Sequence, residues 1–234
     1  DAIDDVTRFS NWRSLMTVLN AQTLNGVDLV HTLGNHEYYG DADGSIAGTV
    51  FQTPASQPNS WYSVEYGCVY VAVVNNGADM LSALEALKAD AAQSSCQWKV
   101  LVVHEPIFGT NGEMDAEARK QLTDAIEDAG IEFVFTGDDH AYARTYPMLD
   151  GTAQDAQSTE GVVYFVSGDL SSKSNAFNRH DYFAEAIPHN DYQGMYISVQ
   201  ATRSAFTVTA YDYQGSILDS YTKNRTDCQL GNHK

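Results

Sequence analysis

Positive charge is scarce in this 234-residue chain: 13 Lys and Arg stand against 31 Asp and Glu, a formal net charge of −18. A basic face that would track a nucleic-acid backbone or an anionic membrane is thereby excluded. Cysteine is nearly as scarce. Cys68, Cys96 and Cys228 lack the paired spacing of a zinc site, and their odd number leaves at least one unpaired within the chain. Cys68 lies in a strand-patterned run and reads as a core thiol; a Cys68–Cys96 disulfide is the alternative that an exported protein would tolerate. No run of about 18 apolar residues is present, so nothing reads as a membrane-spanning helix. Internal repeats, low-complexity tracts and linkers are also lacking, and residues 1–234 are expected to form one domain.

What is present is ordinary globular material, 43% apolar and 19% charged. Helical periodicity runs over Phe9–Leu24, Met80–Ala92 and Asp115–Ala129, with Asp115 as an N-cap and Gly130 as a stop signal. Between the helices lie strand-like runs: Val27–Leu33, Trp61–Tyr66, Val69–Asn75, Trp98–Val103 and Ile131–Phe135. This alternation predicts an α/β domain around a largely buried sheet. After Gly161 the pattern changes to short strands at Val162–Val166, Met195–Gln200, Ala205–Tyr211 and Ile217–Tyr221, the last two joined by a hairpin turn at Tyr213–Ser216. Gly40–Ser60 and Ser171–Gln193 read as long polar loops, which in a compact domain usually carry function.

Three apolar runs end in the same way. VDLVHTL leads into Gly34-Asn35-His36-Glu37, KVLVV into His104-Glu105-Pro106, and IEFVF into Thr136-Gly137-Asp138-Asp139-His140. A near-continuous apolar run is the pattern of a strand covered on both faces, and open α/β sheets bind ligands at the C-terminal ends of such strands. Each ending alone has a plainer reading, as a turn or a solvated cap. Together they place Asn, Asp and His at one sheet edge, a mixed nitrogen and oxygen donor set suited to zinc, manganese or iron.

These residues resemble the calcineurin-like metallophosphoesterases, and within them the secreted branch similar to purple acid phosphatases. The family's GNH[DE], strand-end His and GHxH motifs stand here as Gly34-Asn35-His36-Glu37, Val102-Val103-His104 and Gly137-Asp138-Asp139-His140. The likeness extends through Ala141–Pro147 and Tyr211–Ser220. It implies a four-layer α/β/β/α sandwich with two central mixed sheets, and a secreted or cell-surface setting. It also implies hydrolysis of a phosphomonoester or phosphodiester by a hydroxide activated between two metal ions. Asn35, His104 and Asp138 would hold one ion and His140 the other; His36 would be the acid near the leaving group, and Glu37 would orient its loop.

The chain departs from the family pattern twice. Asp138 replaces the first histidine of GHxH, exchanging a neutral ligand for an anionic one and favouring harder ions. The family's first motif is absent, and its second survives only as Asp1-Ala2-Ile3-Asp4. Asp1 would then be the carboxylate that bridges the ions, with a frayed acidic terminus as the other reading. The expectation is a longer polypeptide whose first strand is missing here, its own N-terminal segment being a partner. These departures favour a second reading, a catalytically degenerate member that binds a ligand or partner without turnover.

Other residues carry weaker signals. His31 reads as packed rather than ligating, and His180 and His189 as members of a surface loop that could also wall the site. Tyr142 and Arg144 are close enough in sequence to border the site, Arg144 either touching phosphate or forming a structural salt bridge. His233 reads as part of a tail.

Overall fold

The computed structural model describes residues 2–23, 26–52, 61–169 and 175–225. Asp1, Cys228 and His233 lie outside them. In chain order the elements are helices α1 (Phe9–Thr23) and α2 (Ser45–Phe51), strands β1 (Trp61–Tyr66) and β2 (Val69–Val74), helix α3 (Met80–Ala91), strand β3 (Trp98–Val102) and helix α4 (Ala116–Asp128). There follow β4 (Phe133–Thr136), β5 (Ala141–Thr145), β6 (Met148–Leu149), β7 (Thr152–Ala153), β8 (Val163–Ser167), β9 (Phe183–Pro188), β10 (Met195–Ala201), β11 (Ala205–Asp212) and β12 (Ile217–Asn224).

A seven-stranded mixed sheet runs in the order β1-β2-β3-β4-β8-β5-β9, and β10-β11-β12 form a second, wholly antiparallel sheet. Strands β2, β3, β4 and β8 are mutually parallel, so their C-terminal ends share one edge. Each face of the large sheet has its own core. On one, Leu84 and Leu87 of α3 and Leu122 and Ile126 of α4 cover Tyr70, Leu101 and Val134. On the other, Trp98, Phe133 and Phe165 meet Phe206 and Val208 of the small sheet, with the Phe133 and Phe206 rings stacked at 4.1 Å. Burying such side chains stabilises the fold by roughly 1.5–3 kcal/mol each. A third core gathers Ile3, Val6, Trp12, Leu33 and Ala47 around α1 and α2.

The helix signals act locally as expected. Asp79 accepts a hydrogen bond from the Ser82 amide (3.1 Å) at the start of α3, Asp115 accepts from the Glu117 and Ala118 amides (3.1 Å each) at the start of α4, and Gly130 stops α4 at φ +70°.

Three expectations are corrected and one alternative is set aside. Val27–Leu33 is not a strand, and Val27 and Leu29 are exposed. Side chains hold this segment where a ladder would: Tyr62 Oη accepts from the His31 amide and donates to the His31 carbonyl. Beyond it, Thr32 donates to the Val74 carbonyl (2.9 Å) and the Leu33 amide donates to Asn75 Oδ1 (3.0 Å). The two long loops contain regular structure, α2 in the first and β9 in the second. Cys68 and Cys96 are free thiols, Cys68 packed against the core shared with the small sheet, so the core-thiol reading of Cys68 holds and the disulfide does not form. Finally, Phe183, His189 and Tyr192 are buried, so this part of the second segment is no surface loop.

Candidate metal centre

The shared edge of β3, β4 and β8 opens into a cavity of about 790 Å³, with His36, His104, Asp138, His140 and Asp169 among its walls and Tyr196 and Ile197 of β10 forming an apolar side. Three loops converge here because backbone bonds tie them together. The His104 carbonyl accepts from the Gly137 amide (2.9 Å), the Leu33 carbonyl accepts from the Asn76 amide (2.9 Å), and the Ser167 hydroxyl donates to the Thr136 carbonyl (2.7 Å).

Within this frame Asn35, His104 and Asp138 come together. His104 Nε2 stands 3.1 Å from Asn35 Oδ1 and 3.4 Å from Asp138 Oδ1. The His104 ring is buried. Its contact with Asp138, opposed by burial and assisted by the charges of His104 and His140, holds the Asp138 carboxyl below the usual carboxylate range. Asp138 also has an unusual backbone. Its φ is +60°, and the Asp139 amide bonds the Gly137 carbonyl at 2.7 Å, so Asp138 is the apex of a left-handed γ-turn. That turn is rare and strained for a residue with a Cβ.

His36 opens a short 3-10 turn, His36–Tyr38, and its Nδ1 lies 2.9 Å from the Asp4 carbonyl. A carbonyl can only accept, so Nδ1 carries a proton. Glu37 is fully buried and its carboxylate clasps backbone: it accepts from the amides of Gly34 (2.7 Å), Ala2 (2.8 Å) and Ile3 (3.1 Å). Asp139 does the same for the loop after β3, accepting from the Thr110 and Asn111 amides. His140 lines the same cavity, with its Nδ1 3.3 Å from Asp169 Oδ2.

Asp169 was not singled out in the sequence, although Ser167-Gly168-Asp169 after β8 repeats Thr136-Gly137-Asp138 after β4. That repetition was the available signal. Arg144 and Tyr142 do not border the cavity; both bond Asp219, at 2.6 and 2.7 Å, between the two sheets. His31 packs on Phe51 at 3.9 Å between ring centroids, and burial pushes its pKa down to about 4.

As a donor set, an imidazole nitrogen with an amide oxygen and a carboxylate oxygen beside it are the donor types that suit one borderline or hard cation. Among the described residues no group of three or more His, Cys, Asp or Glu side chains is gathered as a metal site.

The family model of the calcineurin-like phosphoesterases matches residues 1–142, and the chain belongs to that family. Its fold is similar to that of the purple acid phosphatase PPD1 from yellow lupin (Lupinus luteus) seeds, with a TM-score of 0.72 at 17% identity over 84% of this chain and 38% of that one. It is also similar to GAP50, the anchor in the inner membrane complex of Plasmodium, with a TM-score of 0.52 at 10% identity over 72% of this chain and 54% of that one. This chain thus spans 38% of the lupin protein's length and 54% of the Plasmodium protein's. A search among curated protein sequences gave no match. None of the described helices is long and apolar enough to cross a membrane.

Proposed function

We propose that residues 1–234 act as one metal-dependent phosphoesterase domain that hydrolyses a phosphomonoester or phosphodiester in a secreted or cell-surface setting. The observation that carries this reading is the convergence of Asn35 and Asp138 on His104 Nε2, at the same cavity that His36 and His140 line. Asn35, His104 and Asp138 would hold one zinc, manganese or iron ion and His140 the second, with Asp1 as the carboxylate shared by both. Ions bound there supply Lewis-acid polarisation of the phosphoryl oxygen and a nucleophile at neutral pH.

The chain's own residues supply the rest. With Nδ1 donating to the Asp4 carbonyl, His36 would serve the departing oxygen as proton donor through its Nε2. Glu37 keeps that ring in place by fixing both the Gly34 turn and the Ala2–Ile3 backbone. Asp138 lowers the net positive charge of the site and shifts its preference toward harder ions.

The test is hydrolysis of p-nitrophenyl phosphate and its bis-ester with added manganese, zinc or iron, alongside metal content. Activity should require metal and fall by about 10²- to 10⁴-fold in His36→Ala, as removal of a general acid does. The second reading, a ligand- or partner-binding member without turnover, is favoured by Asp138 standing where the family has histidine. A metal-loaded protein that cleaves neither ester would establish that reading instead.

A further inference from the structure

Tyr39 is half exposed, yet it touches two of the residues already described. Its hydroxyl accepts from Asn35 Nδ2 at 3.1 Å, and its ring packs on that of His36 with 4.6 Å between centroids and 46° between planes. The other end of the same amide, Asn35 Oδ1, stands 3.1 Å from His104 Nε2. We propose that Tyr39 is a positioning residue: its hydroxyl holds the NH2 group of Asn35 outward and so keeps Oδ1 directed at His104 and the proposed ion. The proposal rests on the reading of Asn35 as a metal ligand.

The backbone around Asn35 is held firmly. The Tyr38 amide donates to the Asn35 carbonyl and the Tyr39 amide to the His36 carbonyl, both at 3.1 Å, and Tyr39 leaves the turn extended, at φ −72° and ψ 112°. The Tyr38 ring anchors the turn against Gly44 and Gly77; a Cβ on Gly44 would come within 2.8 Å of it. Glu37 fixes the other flank through the Gly34 amide. The amide at the end of the Asn35 side chain is not fixed by any of these contacts. Its NH2 and C=O ends have nearly the same shape, so exchanging them meets no steric cost. An NH2 group only donates hydrogen bonds, and the exchange would therefore remove the oxygen that a cation needs. Asp138 favours that exchange, because its carboxylate flanks the same His104 Nε2 at 3.4 Å and accepts hydrogen bonds. The Tyr39 hydroxyl is the competing acceptor on the outer side.

Side-chain ¹H–¹⁵N spectra of the metal-free full chain read this amide directly. Tyr39→Phe keeps the ring on His36 and removes only the hydroxyl, so the Asn35 NH2 resonances should move while the Gly34 amide, held by Glu37, stays in place. Calorimetric titration of the same variant with Mn²⁺ and with Zn²⁺ should show affinity falling about tenfold, the lower end of what losing a ligand's outer partner costs. In an Asn35→Asp background both ends of the side chain are oxygen, and Tyr39→Phe should then cost about twofold or less, there being no end left to select. Resonances and affinities that match wild type in Tyr39→Phe would overturn the inference, and so would an equal loss in both backgrounds, the mark of a merely structural tyrosine. Unchanged affinity with a raised KM for p-nitrophenyl phosphate at saturating metal would overturn it by making the hydroxyl a substrate contact. Asn35→Ala separates the two levels. If it abolishes metal binding while Tyr39→Phe changes nothing, the positioning role alone fails; if it leaves affinity intact, the ligand reading of Asn35 fails and takes the inference with it.

Discussion

The loops after β4 and β8 carry nearly the same tripeptide, Thr136-Gly137-Asp138 and Ser167-Gly168-Asp169, on adjacent parallel strands, yet they bend at different residues. After β8 the left-handed residue is Gly168, for which that conformation is free of steric cost. After β4 it is Asp138 itself, while Gly137 needs no special conformation and a Cβ on it would meet only His104 at 3.6 Å. The first aspartate ends against His104, the second between His140 and His189. Where a turn places its left-handed residue decides which way the following carboxylate points, and the β4 loop accepts backbone strain to point Asp138 at the proposed ion.

The largest expected effect tests the glycines. Gly168→Ala combines a left-handed alanine with contacts under 3 Å to Tyr192 and Met195, and should cost about 3 kcal/mol in urea unfolding. Gly137→Ala should stay within about 1 kcal/mol. Equal losses would break the contrast between the two loops. Next, Asp138→His replaces the anionic donor with a neutral one and should move the preference from manganese toward zinc by about tenfold. Metal content and phosphatase rate that match wild type would remove Asp138 from the site. Third, Asp138→Gly relieves the left-handed strain and should raise stability by about 1 kcal/mol while weakening metal binding. A drop in stability would show that the γ-turn is not strained.

The smallest effect contrasts histidines that face a carboxylate with one that does not. His31 is neutral in the fold, its pKa lowered by burial from 6.5 to about 4. A depressed folded pKa means that its contribution is complete above the unfolded value of about 6.5 and is lost as pH falls toward about 4. Thermal melts from pH 7 to 4 should therefore decline less steeply in His31→Leu than in wild type, and parallel curves would refute the assignment.

Much of the architecture was legible because β3 and β4 are buried on both faces and their residues are almost uniformly apolar. The ligand-type residues at their ends followed from that pattern. β5 was not legible: Arg144 interrupts Ala141–Thr145, and its compensating partner, Asp219, lies on the other sheet. Val27–Leu33 misled for the opposite reason, since its apolar pattern suits a strand while its backbone bonds go to Tyr62 and Asn75. Asp169 escaped because its only signal, the repeat of Thr136-Gly137-Asp138 as Ser167-Gly168-Asp169, is a similarity between two strand ends and not a ligand spacing.

That pair of side chains gives the Asn35–His36 turn a mechanical character of its own. A backbone whose amides are clipped by the Tyr62 and Asn75 side chains has no ladder to unzip, so it can open while β1 to β4 stay paired. Amide exchange at His31 and Leu33 would then report a sub-global opening of the wall that carries Asn35.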